Sequence, residues 1–201
     1  MHEKWVVASS NAGKIAELEA LLDGLAITPV SQRDFDVDDA VEDGIAFLDN
    51  ALIKARHAAS QTGLPAIADD SGLAVDWLDG APGIFSARYA GTHGDDEANN
   101  AKLLTELDGV AAADRGAAFH CCLVSVRSPA DPAPIVAHGV WRGRILTRGR
   151  GTGGFGYDPL FWVDSEQASA AELAPARKNT ISHRGRAMSR LVEALRERRD
   201  R

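Results

Sequence analysis

Cysteine is almost absent from this chain: two residues in 201, Cys121 and Cys122, standing side by side. Neighbours in a strand point to opposite faces, so a structural disulfide is not expected and a reduced, buried role is the default. No apolar run approaches the roughly 18–20 residues that span a bilayer. Met1 to Trp5 carries no signal-peptide core and leads straight into a strand-like segment, so membrane insertion and export are not expected and the cytoplasm is the simplest compartment. A basic surplus is missing too. Lys and Arg number 22 against 29 Asp and Glu, a formal charge of −7, which argues against a partner that is nucleic acid. His2, His57 and His93 show no metal-ligand spacing, His120 and His138 fall in strand-like runs as core or sheet-face residues, and zinc is unsupported. Repeats, low-complexity tracts and long linkers are also lacking. What remains is ordinary for a soluble enzyme, 45% hydrophobic and 25% charged. The length suits one α/β domain over 1–201, or two intimate lobes sharing a sheet.

Periodicity gives the order of elements. Trp5 to Ala8 reads as a buried strand, and Ile15, Leu18, Leu22 and Leu25 recur at helical spacing up to about Gly24. An acidic loop follows, with Asp34, Asp36, Asp38, Asp39, Glu42 and Asp43. A second helix runs from Phe47 to about Gln61, with Phe47, Ala51, Ala55 and Ala58 on one face and Asn50, Lys54 and His57 on another. Pro65 to Ala68 predicts a strand that breaks at Asp69-Asp70-Ser71-Gly72, with a further strand over Leu73 to Leu78. Asp95-Asp96-Glu97 opens a helix to Leu107. Two long strands, Ala117–Arg127 and Ile135–Leu146, flank a Pro-rich turn. The last clear helix is Gly185 to Arg198. Alternating strands and helices of this kind predict α/β with a mixed central β-sheet flanked by helices.

Four segments carry chemistry. Ser9-Ser10-Asn11-Ala12-Gly13-Lys14 joins a strand to a helix, where hydroxyls, an amide, backbone N–H groups and a lysine suit a triphosphate. It is not a P-loop: Ala8 stands where the first glycine belongs, and Ile15 where the magnesium-binding hydroxyl belongs. Gly151 to Gly156 satisfies G-x-G-x-x-G, but Tyr157-Asp158-Pro159 opens no helix, so a loop setting an aromatic ring beside a flat ligand is the better reading. Asp69 and Asp70 converge only if the strand breaks, and hard oxygens there suit Mg²⁺. One of the two could also orient an attacking water. Lys178 and Ser182-His183-Arg184-Gly185 put cations at a helix start, an unfavourable place that points to an anion or carbonyl partner.

Together these segments resemble the inosine triphosphatase family of non-canonical purine nucleoside-triphosphate pyrophosphatases, nearly end to end from Val6 to Leu195. The marks are Ser10 to Lys14, Asn50-Ala51 with Lys54-Ala55, Ala68-Asp69-Asp70-Ser71-Gly72-Leu73, Gly80-Ala81-Pro82-Gly83 with Ser86-Ala87-Arg88-Tyr89, Gly151 to Pro159, and Ile181 to Gly185. The resemblance implies an elongated α/β fold of two lobes with a nucleotide cleft between them. It also implies a magnesium requirement, a homodimer, and hydrolysis of inosine and xanthosine triphosphates to monophosphate and pyrophosphate. Ser9, Ser10, Asn11, Ala12, Gly13 and Lys14 would hold phosphates. Asp70 matches the proton acceptor and metal ligand, Glu42 resembles the second metal carboxylate, and Ser71 is a substrate contact. Lys14 and Lys54 would stabilise the departing pyrophosphate, and Asp70 or Asp69 would orient water. Phe155, Gly156, Tyr157 and Asp158 match the base and sugar pocket, with Tyr157 stacking on the base. Lys178, His183 and Arg184 match the grip on the base, where donors to a 6-keto oxygen disfavour adenine. One departure stands out: Asp49 replaces the usual glutamate before Asn50-Ala51. A related pyrophosphatase for pyrimidine or methylated nucleotides and a nucleotide sensor without turnover are the rival readings, the intact Asp69, Asp70 and Lys14 counting against the sensor.

Overall fold

A computed structural model describes residues 3–9, 18, 22 and 25–199. The elements, in chain order, are β1 (Glu3–Ala8), β2 (Ile27–Ser31), α1 (Phe47–Thr62), β3 (Ala66–Val75), α2 (Asp96–Glu106), β4 (Gly116–Val126), β5 (Ile135–Ile145), β6 (Phe161–Val163), β7 (Ala168–Ser169), α3 (Pro175–Ile181) and α4 (His183–Arg199). Among the described residues the strands form one sheet in the order β2-β1-β3-β4-β5-β6-β7. Pairing of β1 with β2 and with β3 is parallel, and β5-β6 and β6-β7 are antiparallel, so the sheet is mixed as expected. No helix among the described residues is long and apolar enough to cross a membrane.

The chain divides into two compact units, each built from separate segments: Met1–Asp70, Cys121–Gly139 and Arg186–Arg201 in the first, Ser71–His120 and Val140–Gly185 in the second. In the first unit, alternation along the strands feeds two apolar layers. Ile67, Cys121 and Leu123 pack with Leu18, Leu22, Met188, Leu191 and Leu195. Ala66, Ala68, Cys122 and Val124 pack with Ala51, Ala55, Ala58 and Ala59 of α1. The fully buried apolar residues of that helix are all alanines, with Phe47 and Leu52 partly buried beside them, and small side chains let the helix lie close to the strands. The second unit has its own core of Leu73, Val75, Leu103, Phe119, Trp141, Tyr157 and Phe161.

Three expectations need correction. The strand does not break at Gly72: β3 runs unbroken from Ala66 to Val75. Its neighbours are β1, paired at Ala66–Ala68, and β4, and sheet pairing keeps the glycine extended despite its freedom. The strand expected over Leu73–Leu78 is the end of β3, with Asp76–Leu78 in a 3-10 turn. The last helix begins at His183, two residues before Gly185. Strand β2 was not foreseen. It is an edge strand containing Pro29, where a missing N–H is tolerated.

Candidate active site

The acidic chemistry gathers in the first unit, along one stripe of α1. Asn50, Lys54 and His57 follow at helical spacing, and each holds part of the acidic loop. Gly44 N–H donates to Asn50 Oδ1 at 2.9 Å. The Lys54 ammonium lies 3.2 Å from Glu42 Oε1. His57 Nε2 donates to the Asp38 carbonyl at 2.9 Å. The loop is held from its other side by Gln32, whose Nε2 donates to Asp39 at 2.6 Å.

Lys54 also donates to Asp70 Oδ1 at 2.9 Å, so one ammonium joins the two carboxylates proposed from sequence for a metal. Asp70 is buried, and its Oδ2 has no hydrogen-bond partner. Burial pushes the Asp70 carboxyl above its ordinary value; Lys54 pulls it back, while Glu42 and Asp69 push it up again. For Lys54, burial works against the charge, but Asp70 and Glu42 outweigh it and the pKa rises. The ammonium is therefore held protonated. A buried carboxylate oxygen without a donor is costly unless something positive meets it.

Asp69 does not join this group. With β3 unbroken, adjacent side chains face opposite ways. Asp70 falls on the α1 side with Ala66 and Ala68, whereas Asp69 takes the Cys121 thiol at 3.2 Å on the side of Ile67. The expected convergence of the two carboxylates is overturned by the strand's period. Cys122, on the Asp70 side, has its thiol pushed up to about 11 by burial and by Asp70 and Asp69, so it is an inert core thiol.

Asp49 acts on the backbone. Its Oδ2 accepts the N–H groups of Ala46 at 3.0 Å and Ile45 at 3.2 Å, closing the helix entry as the glutamate of a capping box does. Ser9 lies at the end of β1, its N–H bonded to the Val7 carbonyl at 2.9 Å. Ser10, Asn11, Ala12, Gly13 and Lys14 lie outside the described residues.

The second unit supplies a flat surface bordered by cations. Phe155 is 50% exposed, with Lys178 Nζ 5.0 Å and the Arg184 guanidinium 5.6 Å from its ring centre. Lys178 is in turn paired with the buried Asp158, whose Oδ2 also accepts the Phe155 N–H at 2.8 Å. Arg184 donates to Ser71 Oγ at 3.2 Å. His183 is buried, its ring stacked on Phe119 at 4.8 Å and near-parallel to Trp141 at 6.3 Å. The Ser182 hydroxyl caps the helix by accepting the Gly185 N–H at 3.2 Å. A Cβ at Gly185 would collide with the carbonyl oxygen of Asn179, so only glycine lets the end of α3 pass so close to the start of α4.

Tyr157 is not the exposed ring that was expected. It is 4% exposed, inside the second unit's core, and its hydroxyl donates to the Ser86 carbonyl at 2.8 Å. Phe155, two residues earlier, takes the accessible place. Gly156, between them at φ +59°, turns the chain so that one ring is buried and the other is not. Sequence reading also missed Asp96 and Asn100. Gly156 N–H donates to Asp96 Oδ2 at 2.6 Å, and Asn100 Nδ2 donates to the Gly156 carbonyl at 2.8 Å. Their i, i+4 spacing at the start of α2 was the available signal.

No group of three or more His, Cys, Asp or Glu stands together as a metal cage among the described residues. Asp70 with Glu42 still fits a hard cation of the magnesium kind, which binds through one or two carboxylates and keeps water or phosphate for its remaining positions.

Residues 5–194 match the family model described as Ham1 family. The chain is 55% identical over 194 residues to a dITP/XTP pyrophosphatase of Shigella flexneri, covering 96% of this chain and 98% of that protein. It is 53% identical over 197 residues to a dITP/XTP pyrophosphatase of Vibrio cholerae, covering 98% of each. A solved HAM1 protein from Coxiella burnetii superposes with a TM-score of 0.93 at 50% identity, covering 97% of this chain and 99% of that one.

Proposed function

The chain belongs to the Ham1 family, and from that premise we propose that it hydrolyses non-canonical purine nucleoside triphosphates, dITP and XTP among them, to the monophosphate and pyrophosphate. The observation that carries the reading is Asp70: a buried carboxylate with one oxygen on Lys54 and the other without a donor. Water oxygen attacks the α-phosphorus, and the bond from that phosphorus to the oxygen bridging to the β-phosphate breaks. Magnesium held by Asp70 and Glu42 would neutralise phosphate charge and make a bound water more acidic.

The chain's own groups do the remaining work. Asp70, with its raised proton affinity, is suited to accept a proton from the attacking water. Lys54, fixed by both carboxylates, meets the charge that develops on the departing pyrophosphate. Ser9 and the segment to Lys14 would hold the other phosphate oxygens. In the second unit Phe155 stacks on the base, while Lys178, His183 and Arg184 set its orientation. Donors aimed at a 6-keto oxygen leave adenine's amino group facing donors, which disfavours it. We also propose a homodimer working in the cytoplasm, in keeping with the family resemblance.

The test is pyrophosphate release, with and without magnesium, over a panel of inosine, xanthosine, adenosine, guanosine and pyrimidine triphosphates. Magnesium-dependent release confined to the keto purines outside the standard set supports the reading. Equal release from all nucleotides, or from none, overturns it.

A further inference from the structure

We propose that Asp96 and Asn100 are positioning residues that clamp Gly156 from α2 and hold the Phe155 ring where a purine base stacks; the inference rests on the function proposed above. The start of α2 does not need Asp96 for its own capping. Asp95 does that, its Oδ1 accepting the Ala98 N–H at 3.0 Å. Asp96 instead turns its carboxylate to the Gly156 N–H at 2.6 Å. One turn later Asn100 donates through the same nitrogen to the Gly156 carbonyl and to the Asp96 carbonyl, each at 2.8 Å. Both polar groups of a single glycine are thus held by two side chains on one helix face.

The glycine is demanded by its backbone, at φ +59°, and not by crowding, because a Cβ there would meet nothing within 4 Å. Asp158 accepts the preceding N–H, that of Phe155. The peptide groups on both sides of Phe155 are therefore tied to carboxylates while the ring itself stays half exposed. Ordering of this loop is completed on folding and not on binding, which is how a preorganised platform gains affinity. Loosening the clamp leaves the ring in place chemically but lets it wander, so binding is lost and the phosphate chemistry of the first unit is untouched.

Steady-state pyrophosphate release from inosine triphosphate, alongside thermal unfolding, tests this with Asp96→Ala, Asp96→Asn, Asn100→Ala, Phe155→Ala and the double variant Asp96→Ala/Phe155→Ala. Asp96→Ala is expected to raise KM about tenfold with kcat within about twofold, the signature of lost uniform binding. Asp96→Asn keeps a carbonyl acceptor and should recover most of the affinity. In the Phe155→Ala background, Asp96→Ala should add no further loss, because the clamp acts only through the ring. A wild-type KM in folded Asp96→Ala, or losses that multiply in the double variant, overturns the clamp. If Asp96→Ala does not fold, Asn100→Ala, which removes the bond to the Gly156 carbonyl and leaves the Asp96 carboxylate in place, carries the same comparison. No turnover in the wild-type chain overturns the proposed function and this inference with it; normal turnover with an unmoved KM overturns this inference alone.

Discussion

The two units solve their chemical problems with different materials. In the first, a strand and a helix present charge: Asp70 from β3 and Lys54 from α1 meet at 2.9 Å, with Glu42 drawn in from a loop. In the second, a loop and the start of a helix present a ring bordered by cations, Phe155 with Lys178 and Arg184. Phosphoryl transfer depends on where charge sits to within a fraction of an ångström, so its residues are carried by packed elements. A base needs a flat face and a few donors, which a pinned loop can offer. The difference teaches that damage to the first unit's site should appear in turnover, and damage to the second's in binding.

The largest effect should come from breaking the first side of that contrast. Asp70→Asn is expected to lower kcat on the order of a hundred- to a thousandfold while the protein stays folded. Magnesium should raise the melting temperature of the wild type, since a ligand that binds only the native state stabilises it, and should fail to raise that of Asp70→Asn. Pyrophosphate release and calorimetry measure the two parts.

Acid sensitivity should also sit in the first unit. Asp131 is buried, and its oxygens accept the backbone N–H groups of Arg127 and Ala133, each at 3.0 Å, besides the Arg127 guanidinium. The Arg127 side chain, followed by these backbone bonds, holds the Asp131 carboxyl well below the ordinary range despite burial. A carboxyl whose folded pKa is depressed contributes stability that is present above the unfolded value of about 3.9 and is lost as pH falls toward the folded value. Asp131→Asn should cost about 1–2 kcal/mol at neutral pH, mostly from the backbone bonds because Arg127 is exposed. It should also flatten the loss of stability below about pH 4. Urea unfolding at both pH values reads the slope.

On the second side, Phe155→Ala should weaken all purine triphosphates alike by about 1–3 kcal/mol, the worth of one aromatic–base stack. Arg184→Ala should instead erode the preference for inosine over adenosine triphosphate. Tyr157→Phe should leave KM unchanged and cost only about 1 kcal/mol of stability, for the hydroxyl bond to Ser86. A KM effect at Tyr157 equal to that at Phe155 would reverse the assignment of the two rings.

The smallest effect is expected at Asp49, which stands where the family resemblance led to a glutamate. Asp49→Ala should cost about 1 kcal/mol of stability for a lost helix-entry contact, and Asp49→Glu should restore it. A large fall in kcat with unchanged stability would make the residue part of the chemistry.

Much of this was legible in the amino-acid order, for reasons particular to each element. The helical period put Asn50, Lys54 and His57 on one stripe, and that stripe holds the acidic loop. The helices α1, α2 and α4 are long enough for their pattern to be clear, whereas β6 and β7, of three and two residues, are too short to show one. Gly72 misled because a glycine reads as a break when the sheet that keeps it extended is unseen. Period two would have separated Asp69 from Asp70 had the strand been read as continuous. The exchange of roles between Phe155 and Tyr157 was not legible, since in a glycine-rich loop no periodicity says which ring turns inward. Nor was the meeting of Lys54 with Asp70 across 16 residues deducible from spacing alone.

Gly185 lies within a motif otherwise composed of chemically active side chains, and it shows how variant data on this protein can mislead. A library of single substitutions would record position 185 as intolerant of every replacement, in the manner of a catalytic position, although glycine offers no functional group. What fails there is clearance: α3 brings the Asn179 carbonyl into the space that any side chain would fill. Intolerance at this site is a measure of how closely two chain segments pass, and an engineer wishing to change it would first have to shorten or redirect α3.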